Sequence, residues 1–217
     1  VDASKAPPWA LDAPAVEHVA EFGFPLTHPV TLITGGNGVG KSTLLEGIAR
    51  AWGFQVEGGP WGVDKPGARD PMFGALTLRT GARAKAGYFL RGETHTRVTE
   101  FGERSHGESV LELTSRFAQD ALYLLDEPES GLSPVAQMAL VAQLHAIGEQ
   151  GAQVIAVTHS PIVLGVPGAE IVEVGEHGVD RGLEVEDTLA FRAMRDFLAD
   201  PHGIAEYMAD WAEGELG

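Results

Sequence analysis

A largely parallel β-sheet with helices on both faces is the fold class this sequence predicts. Three observations lead there. Continuous apolar runs recur at Val30-Thr31-Leu32-Ile33-Thr34, Ala121-Leu122-Tyr123-Leu124-Leu125 and Val154-Ile155-Ala156-Val157, as strands buried on both faces require. Stretches of helical periodicity separate them, which is the alternation that builds parallel sheets. Each run ends in a short glycine-rich or polar motif, and sheets of this kind bind ligands at the carboxyl ends of their strands. Three motifs distant in sequence are therefore expected on one edge.

Composition sets the frame. The 217 residues suit one α/β domain over 1–217, large enough to bury a substantial core. No apolar run approaches the ~20 residues that span a bilayer, so no direct membrane insertion is expected. The first residues, Val1-Asp2-Ala3-Ser4-Lys5-Ala6-Pro7-Pro8, lack the basic-then-apolar order of a secretory signal. Cysteine is absent, which excludes disulfides and thiolate metal sites and fits a reducing, cytoplasmic setting. The net charge of −16 argues against a general nucleic-acid coat. The modest basic cluster of Arg79, Arg83, Lys85, Arg91 and Arg97 reads as a solvated face or nucleotide surroundings before a DNA site.

Along the chain, residues 1–29 hold Pro7, Pro8, Pro14, Pro25 and Pro29, which forbid a long helix. An irregular segment and strand are expected there, with a short helix from about Pro14 to Glu21. Trp9, Phe22 and Phe24 are candidates to stack on a base, or to pack the sheet edge. Gly35-Gly36-Asn37-Gly38-Val39-Gly40-Lys41-Ser42 follows the first strand and opens a helix from about Lys41 to Trp52. Residues 53–75 carry Gly58-Gly59-Pro60, Pro66-Gly67 and Asp70-Pro71 and read as loop. Leu76-Thr77-Leu78-Arg79-Thr80 and Ala86-Gly87-Tyr88-Phe89-Leu90 read as two strands around a turn at Gly81. Ser105, with Glu108 three residues on, has the pattern of a capping box, and Val110, Leu111, Leu113 and Phe117 continue a helical apolar face. Ser133-Pro134 opens a long helix to about Glu149. Glu170-Ile171-Val172-Glu173-Val174 is a further strand, followed by a turn and strand to about Val185. Two helices, roughly Asp187 to Ala199 and His202 to Glu213, occupy 187–217, with Pro201 between them.

The chemistry starts with the glycine loop. Strand, Gly-x-x-x-x-Gly-Lys-Ser and helix is the spacing of a phosphate-binding P-loop. Gly35, Asn37, Gly38, Val39 and Gly40 shape a backbone whose N–H groups converge, and the helix beginning at Lys41, Ser42 and Thr43 adds its positive end. Lys41 can reach the β- and γ-phosphates, and Ser42 can ligate Mg²⁺. Asp126 ends the next buried strand, where a carboxylate can hold the same Mg²⁺. Glu127 beside it is placed to polarise a water against the γ-phosphate. His159 ends the following strand and reads as a γ-phosphate sensor.

These residues together resemble a known family. Asp126-Glu127-Pro128, Ser130-Gly131-Leu132-Ser133-Pro134 and Thr158-His159-Ser160 look like the Walker B, D-loop and H-loop succession of ABC-type ATPases. Ser105-His106-Gly107-Glu108 stands where that superfamily carries Leu-Ser-Gly-Gly-Gln, with Arg104 and His106 departing from it. More narrowly, Gly87-Tyr88-Phe89-Leu90-Arg91-Gly92-Glu93, Ser105-His106-Gly107-Glu108-Ser109 and Leu124-Leu125-Asp126-Glu127-Pro128-Glu129 resemble small stand-alone bacterial ATPases of the AAA or ABC-like kind, over about residues 8–200. The resemblance implies a P-loop NTPase fold, ABC-ATPase-like with a much reduced helical subdomain. It implies ATP and Mg²⁺ as cofactors and a head-to-tail, ATP-dependent homodimer. In such a dimer Ser105, His106, Gly107 and Glu108 of one copy complete the other's site. Ser133 takes the D-loop position where an aspartate is common. Arg91 and Glu93 are both candidates for the Q-loop residue.

Three functions follow. The first is a hydrolytic ATPase whose ATP-driven dimerisation acts on an unknown protein partner. The second is the ATP-binding subunit of a membrane transporter. The third is a nucleotide-gated switch or DNA-associated ATPase with little turnover. Only about a dozen residues separate Glu93 from Ser105, too few for the helical subdomain with which transporter subunits grip a membrane partner. No heptads mark a coiled-coil arm of the chromosome-maintenance kind.

Overall fold

The computed structural model describes residues 1–217 except 3, 56, 63–73, 82–83, 92–105, 177 and 216–217, and leaves the side chains of 106–109 and 212–215 undescribed. One seven-stranded sheet runs in the order β2-β3-β4-β5-β1-β6-β7. The strands are β1 (Val30–Gly35), β2 (Gly59–Pro60), β3 (Ala86–Leu90), β4 (Ala121–Asp126), β5 (Gln153–Val157), β6 (Glu170–Gly175) and β7 (Gly178–Arg181). The five inner strands are parallel, and the short rims β2 and β7 pair antiparallel.

Strand β4 shows why its run is unbroken. Ala121, Tyr123 and Leu125 pack into one apolar cluster with Leu32, Leu140, Leu144 and Val154. Leu122 and Leu124 pack into a second with Ile33, Leu44, Leu45, Phe54, Phe89 and Ile155. Successive side chains of a strand point to opposite faces, and here both faces are dry. Helix α3 (Lys41–Trp52) covers the second cluster, and α4 (His106–Ser115) and α5 (Pro134–Glu149) cover the first. Ser133 caps α5, accepting a hydrogen bond from the Ala136 N–H at 3.3 Å, with Pro134 in the first turn. This cap satisfies one otherwise unpaired amide.

Several expectations change. Residues 1–29 contain two helices, α1 (Pro8–Leu11) and α2 (Pro14–Phe22), and no strand among their described residues. Leu76–Thr80 is not a strand: β3 is already flanked by β2 and β4, so no ladder position is open beside it. Leu76 and Leu78 pack against the second cluster instead. The loop over 53–75 supplies β2, which pairs with Tyr88 and Phe89. Ser105, the proposed cap of α4, lies outside the described residues, and α4 is described from His106. The pair of helices expected over 187–217 is present as α6 (Leu189–Ala199), capped by the Thr188 hydroxyl, and α7 (Pro201–Glu215). Among the described residues no helix is long and apolar enough to cross a membrane.

Candidate functional site

Helix α3 starts where β1 stops, and two glycines of the turn between them, Gly35 and Gly40, leave no room for a side chain. At Gly35 the backbone has φ +128°, and a Cβ would stand 2.0 Å from the Val174 carbonyl oxygen. At Gly40, φ is +90° and a Cβ would come within 2.7 Å of the Ala13 Cβ. Both are conformations and clearances that only glycine offers. The N–H of Ala15, in the first turn of α2, donates to the Val39 carbonyl at 3.0 Å, bracing the loop from outside. Val39 is buried, and Asn37 lies exposed at the tip. Thr43, in the first turn of α3, is half-buried.

Lys41 is buried and folds back over the loop, its Nζ donating to the carbonyls of Gly35 (3.1 Å) and Gly36 (2.5 Å). Burial lowers its pKa from the usual lysine value, against the opposing pull of the Glu127 and Asp126 carboxylates. Two acidic groups therefore face the ammonium from the end of β4. The Ser42 hydroxyl donates to Asp126 Oδ1 at 3.0 Å, joining the first turn of α3 to the end of β4. Asp126 is buried at 7% exposure. A hydroxyl touching a buried carboxylate is an oxygen set suited to a hard divalent cation such as Mg²⁺, and the glycine turn with its helix start suits a polyphosphate. The residues present thus fit both groups.

Beyond Asp126 the chain turns sharply. Glu127 has φ +49°, left-handed, and it and Asp120 are the two non-glycine residues at positive φ among those described. Such a backbone costs on the order of 1 kcal/mol. It is held by the Glu127 N–H donating to the Val157 carbonyl at 2.9 Å. The turn leaves the Glu127 carboxylate half-exposed, with Oε1 3.9 Å from His159 Nε2. The two side chains come from neighbouring strands, because β4 and β5 pair in register up to Asp126 and Val157.

Glu129, which the sequence marks only as the residue after Asp126-Glu127-Pro128, carries the connection. Glu129 Oε1 accepts from the Thr158 hydroxyl at 2.7 Å and from the His159 N–H at 2.8 Å. Its Oε2 is buried and has no partner among the described residues. Glu129 thus ties the turn after β4 to the segment carrying the histidine. Ser160 extends the tie through its hydroxyl to Gln137 of α5 at 2.6 Å. Nothing in the local spacing reveals these contacts, since 30 residues separate Glu129 from His159.

The remaining candidates are placed as follows. Arg91, just past β3, pairs with Glu46 of α3 at 2.7 Å. Glu93 and Ser105 lie outside the described residues, while His106, Gly107 and Glu108 open α4, their side chains not described. Helix α4 packs on the first cluster and α3 on the second, so the start of α4 and the glycine turn belong to helices on opposite faces of the sheet. Ser133 uses its hydroxyl as the α5 cap. Phe24 packs beneath the Arg181 guanidinium, 4.6 Å from its ring centre, beside the start of β6 and hence at the end of the sheet away from the glycine turn. Phe22 and Trp9 are exposed. The basic cluster divides: Lys85 pairs with Asp120 at the amino end of β4, Arg91 sits at the opposite end, and Arg83 and Arg97 are not described.

A groove of about 500 Å³ runs beside the site, with Gly36, Asn37 and His159 on one wall and Leu189, Ala193, Met194 and Phe197 of α6 on the other. The larger cavity, about 1320 Å³, lies at the amino ends of β4 and β5 and contains none of the motif residues.

Comparison with known proteins bears on this geometry. A family model described as "AAA domain, putative AbiEii toxin, Type IV TA system" matches residues 64–165, and an AAA-domain model matches residues 17–64. The first spans Asp126, Glu127 and His159, the second the glycine turn. The chain is also similar to the cytochrome c biogenesis ATP-binding export protein CcmA of Zymomonas mobilis subsp. mobilis, at 28% identity over 148 residues, 59% of this chain and 65% of the relative. The chain therefore spans less than two thirds of that relative's length.

Proposed function

We propose that this chain, a P-loop ATPase domain of the ABC/AAA type by its fold and its matches, binds ATP with Mg²⁺, hydrolyses the terminal phosphate, and pairs with a second copy while ATP is bound. The observation that carries the reading is the approach of Glu127 and His159 to 3.9 Å, one residue beyond an Asp126 already joined to Ser42.

When bound, ATP and Mg²⁺ supply an electrophilic γ-phosphorus and the cationic charge that offsets its oxygens. The amides of the turn over residues 36–40 and the start of α3 hold the phosphate chain. Lys41 brings a positive charge to the β- and γ-oxygens. Ser42 and Asp126 hold the metal. The Glu127 carboxylate accepts a hydrogen bond from the attacking water and takes its proton. His159 donates to a γ-phosphate oxygen, its backbone fixed by Glu129. Lys41, Glu127 and His159 are thus the catalytic group, and Gly35, Asn37, Gly38, Val39, Gly40 and Thr43 shape the nucleotide cradle. Ser105, His106, Gly107 and Glu108 of a second copy complete the site, which fits the start of α4 at His106 on the face of the sheet opposite α3. Ser133 lies at the D-loop position, and Arg91 or Glu93 supplies the Q-loop contact. We place the activity on the cytoplasmic side, where ATP is held.

The test is Glu127→Gln. Phosphate release should fall by about 100-fold or more, while ATP binding persists and light scattering reports a dimer. Parent-like turnover would remove Glu127 from the water-polarising role. A variant that stays monomeric with ATP would remove the dimer. Similarity to an export protein's ATP-binding component favours one second reading, a transporter subunit. Co-purification of a permease with Glu127→Gln and ATP would establish that reading, and a protein partner without membrane spans would sink it.

A further inference from the structure

The chain's last two helices leave apolar side chains in water in an ordered pattern. In α7, Ile204, Tyr207, Met208 and Trp211 follow the i, i+3, i+4, i+7 spacing of a single stripe, and all four are exposed, Tyr207 at 67% and Trp211 at 56%. Helix α6 adds Met194, Phe197 and Leu198, also exposed. Neither helix has a fully buried residue among those described. The hairpin is nonetheless well made: Pro201 takes the first position of α7, and the Asp200 carboxylate accepts from the Gly203 N–H at 3.0 Å as its cap. Scattered exposed apolar residues need no explanation, but a contiguous stripe marks a contact surface.

Charge selects the occupant. Helix α7 carries Glu206, Asp210, Glu213 and Glu215 and no lysine or arginine. In α6, Arg192 and Arg195 are offset by Asp196, with Asp200 just past its end. The whole chain is at −16. A second copy laid on this stripe would set carboxylate against carboxylate, whereas a cationic helix would pair its charges along both rims. We propose that the α6–α7 face docks a basic amphipathic helix of a protein partner, its apolar side seated on Tyr207, Met208 and Trp211 and its lysines and arginines beside Glu206 and Asp210. This is the helix-against-apolar-face mode of recognition, with an aromatic pair as anchor. Through α6 the docked helix adjoins the groove beside Asn37 and His159, so the partner sits at the edge of the candidate nucleotide site.

The surface is testable without nucleotide, and so independently of ATP turnover. The probe is a fluorescein-labelled synthetic helix of about 18 residues, leucine at the i, i+3, i+4, i+7 positions and lysine on the polar side. Its control has the same composition with the leucines scrambled. Fluorescence anisotropy with the full chain should show the patterned peptide binding at least ~10-fold more tightly than the scrambled one, a difference of about 1.4 kcal/mol. The affinity should fall as salt rises. The doubly substituted Tyr207→Ser, Trp211→Ser chain should lose that ~10-fold preference, and Glu206→Lys with Asp210→Lys should weaken binding while leaving the circular-dichroism spectrum unchanged. Equal binding of the two peptides, or binding unaffected by both pairs of substitutions, overturns the proposal. So does a nucleotide-free dimer in sedimentation that Trp211→Ser dissociates, because a second copy would then be the occupant.

Discussion

The carboxyl edge of the sheet and the α6–α7 hairpin use their residues in opposite ways. At the edge, polar groups are drawn inward and tied. Lys41 lies on loop carbonyls, Ser42 on Asp126, and Glu129 on Thr158 and His159. In the hairpin, large apolar side chains stand exposed, Tyr207, Met208 and Trp211 among them. The first region is pre-organised, since the segments that carry its candidate groups are fixed by bonds already made. The second is well capped as a helix pair but unfinished as a surface. A chain that buries nearly every side chain of β1, β4 and β5 does not lack the means to cover Trp211, so the exposure is best understood as a contact in waiting.

Substitutions should separate the two regions. The largest effect belongs to Gly35→Ala: its methyl would overlap the Val174 carbonyl, and β1 is an inner strand between β5 and β6. We expect a loss of 3 kcal/mol or more in denaturant unfolding, on the order of the cost of core overpacking or worse. An unchanged midpoint would show that the edge is less rigid than its contacts. Next is Lys41→Ala, which should raise the dissociation constant for ATP by about 100-fold or more through loss of a charge-assisted contact, read by fluorescent-nucleotide displacement. Retained affinity would shift the weight of binding to the turn amides. Glu129→Ala should lower the turnover rate by about 10-fold through a misplaced His159, with the KM for ATP little changed. In a His159→Ala background the same change should add almost nothing, and an additive cycle would show that Glu129 does not act through His159. Smallest is Trp211→Ser, which should move stability by less than about 0.5 kcal/mol. A large destabilisation there would show that α7 is packed after all.

The same contrast explains what the sequence made legible. Strands β1, β4 and β5 were readable because burial on both faces leaves an uninterrupted apolar run, a signal contained within each strand. The glycine turn was readable because its steric demands are local. Leu76–Thr80 has a strand's composition, yet a strand needs a vacant neighbour, and β3 had none. Gly59–Pro60 has a loop's composition but happened to face that rim. Glu129 stood in plain view between Pro128 and Ser130, with a role fixed by Thr158 and His159 across the fold. For α6 and α7, apolar periodicity alone reads as a helix face turned to a core. Only the packing shows that this face meets solvent.

The rims of the sheet have a consequence for assembly. At one rim β2 is two residues long and contains Pro60, which has no N–H to offer a newcomer. At the other, β7 is four residues long. Among the described residues, neither rim presents a ladder long enough to recruit an extended segment of another chain, the usual route by which open sheets stick to one another. That leaves helix surfaces such as α6–α7 as the places where recognition depends on side chains and can be switched by what the neighbouring groove holds.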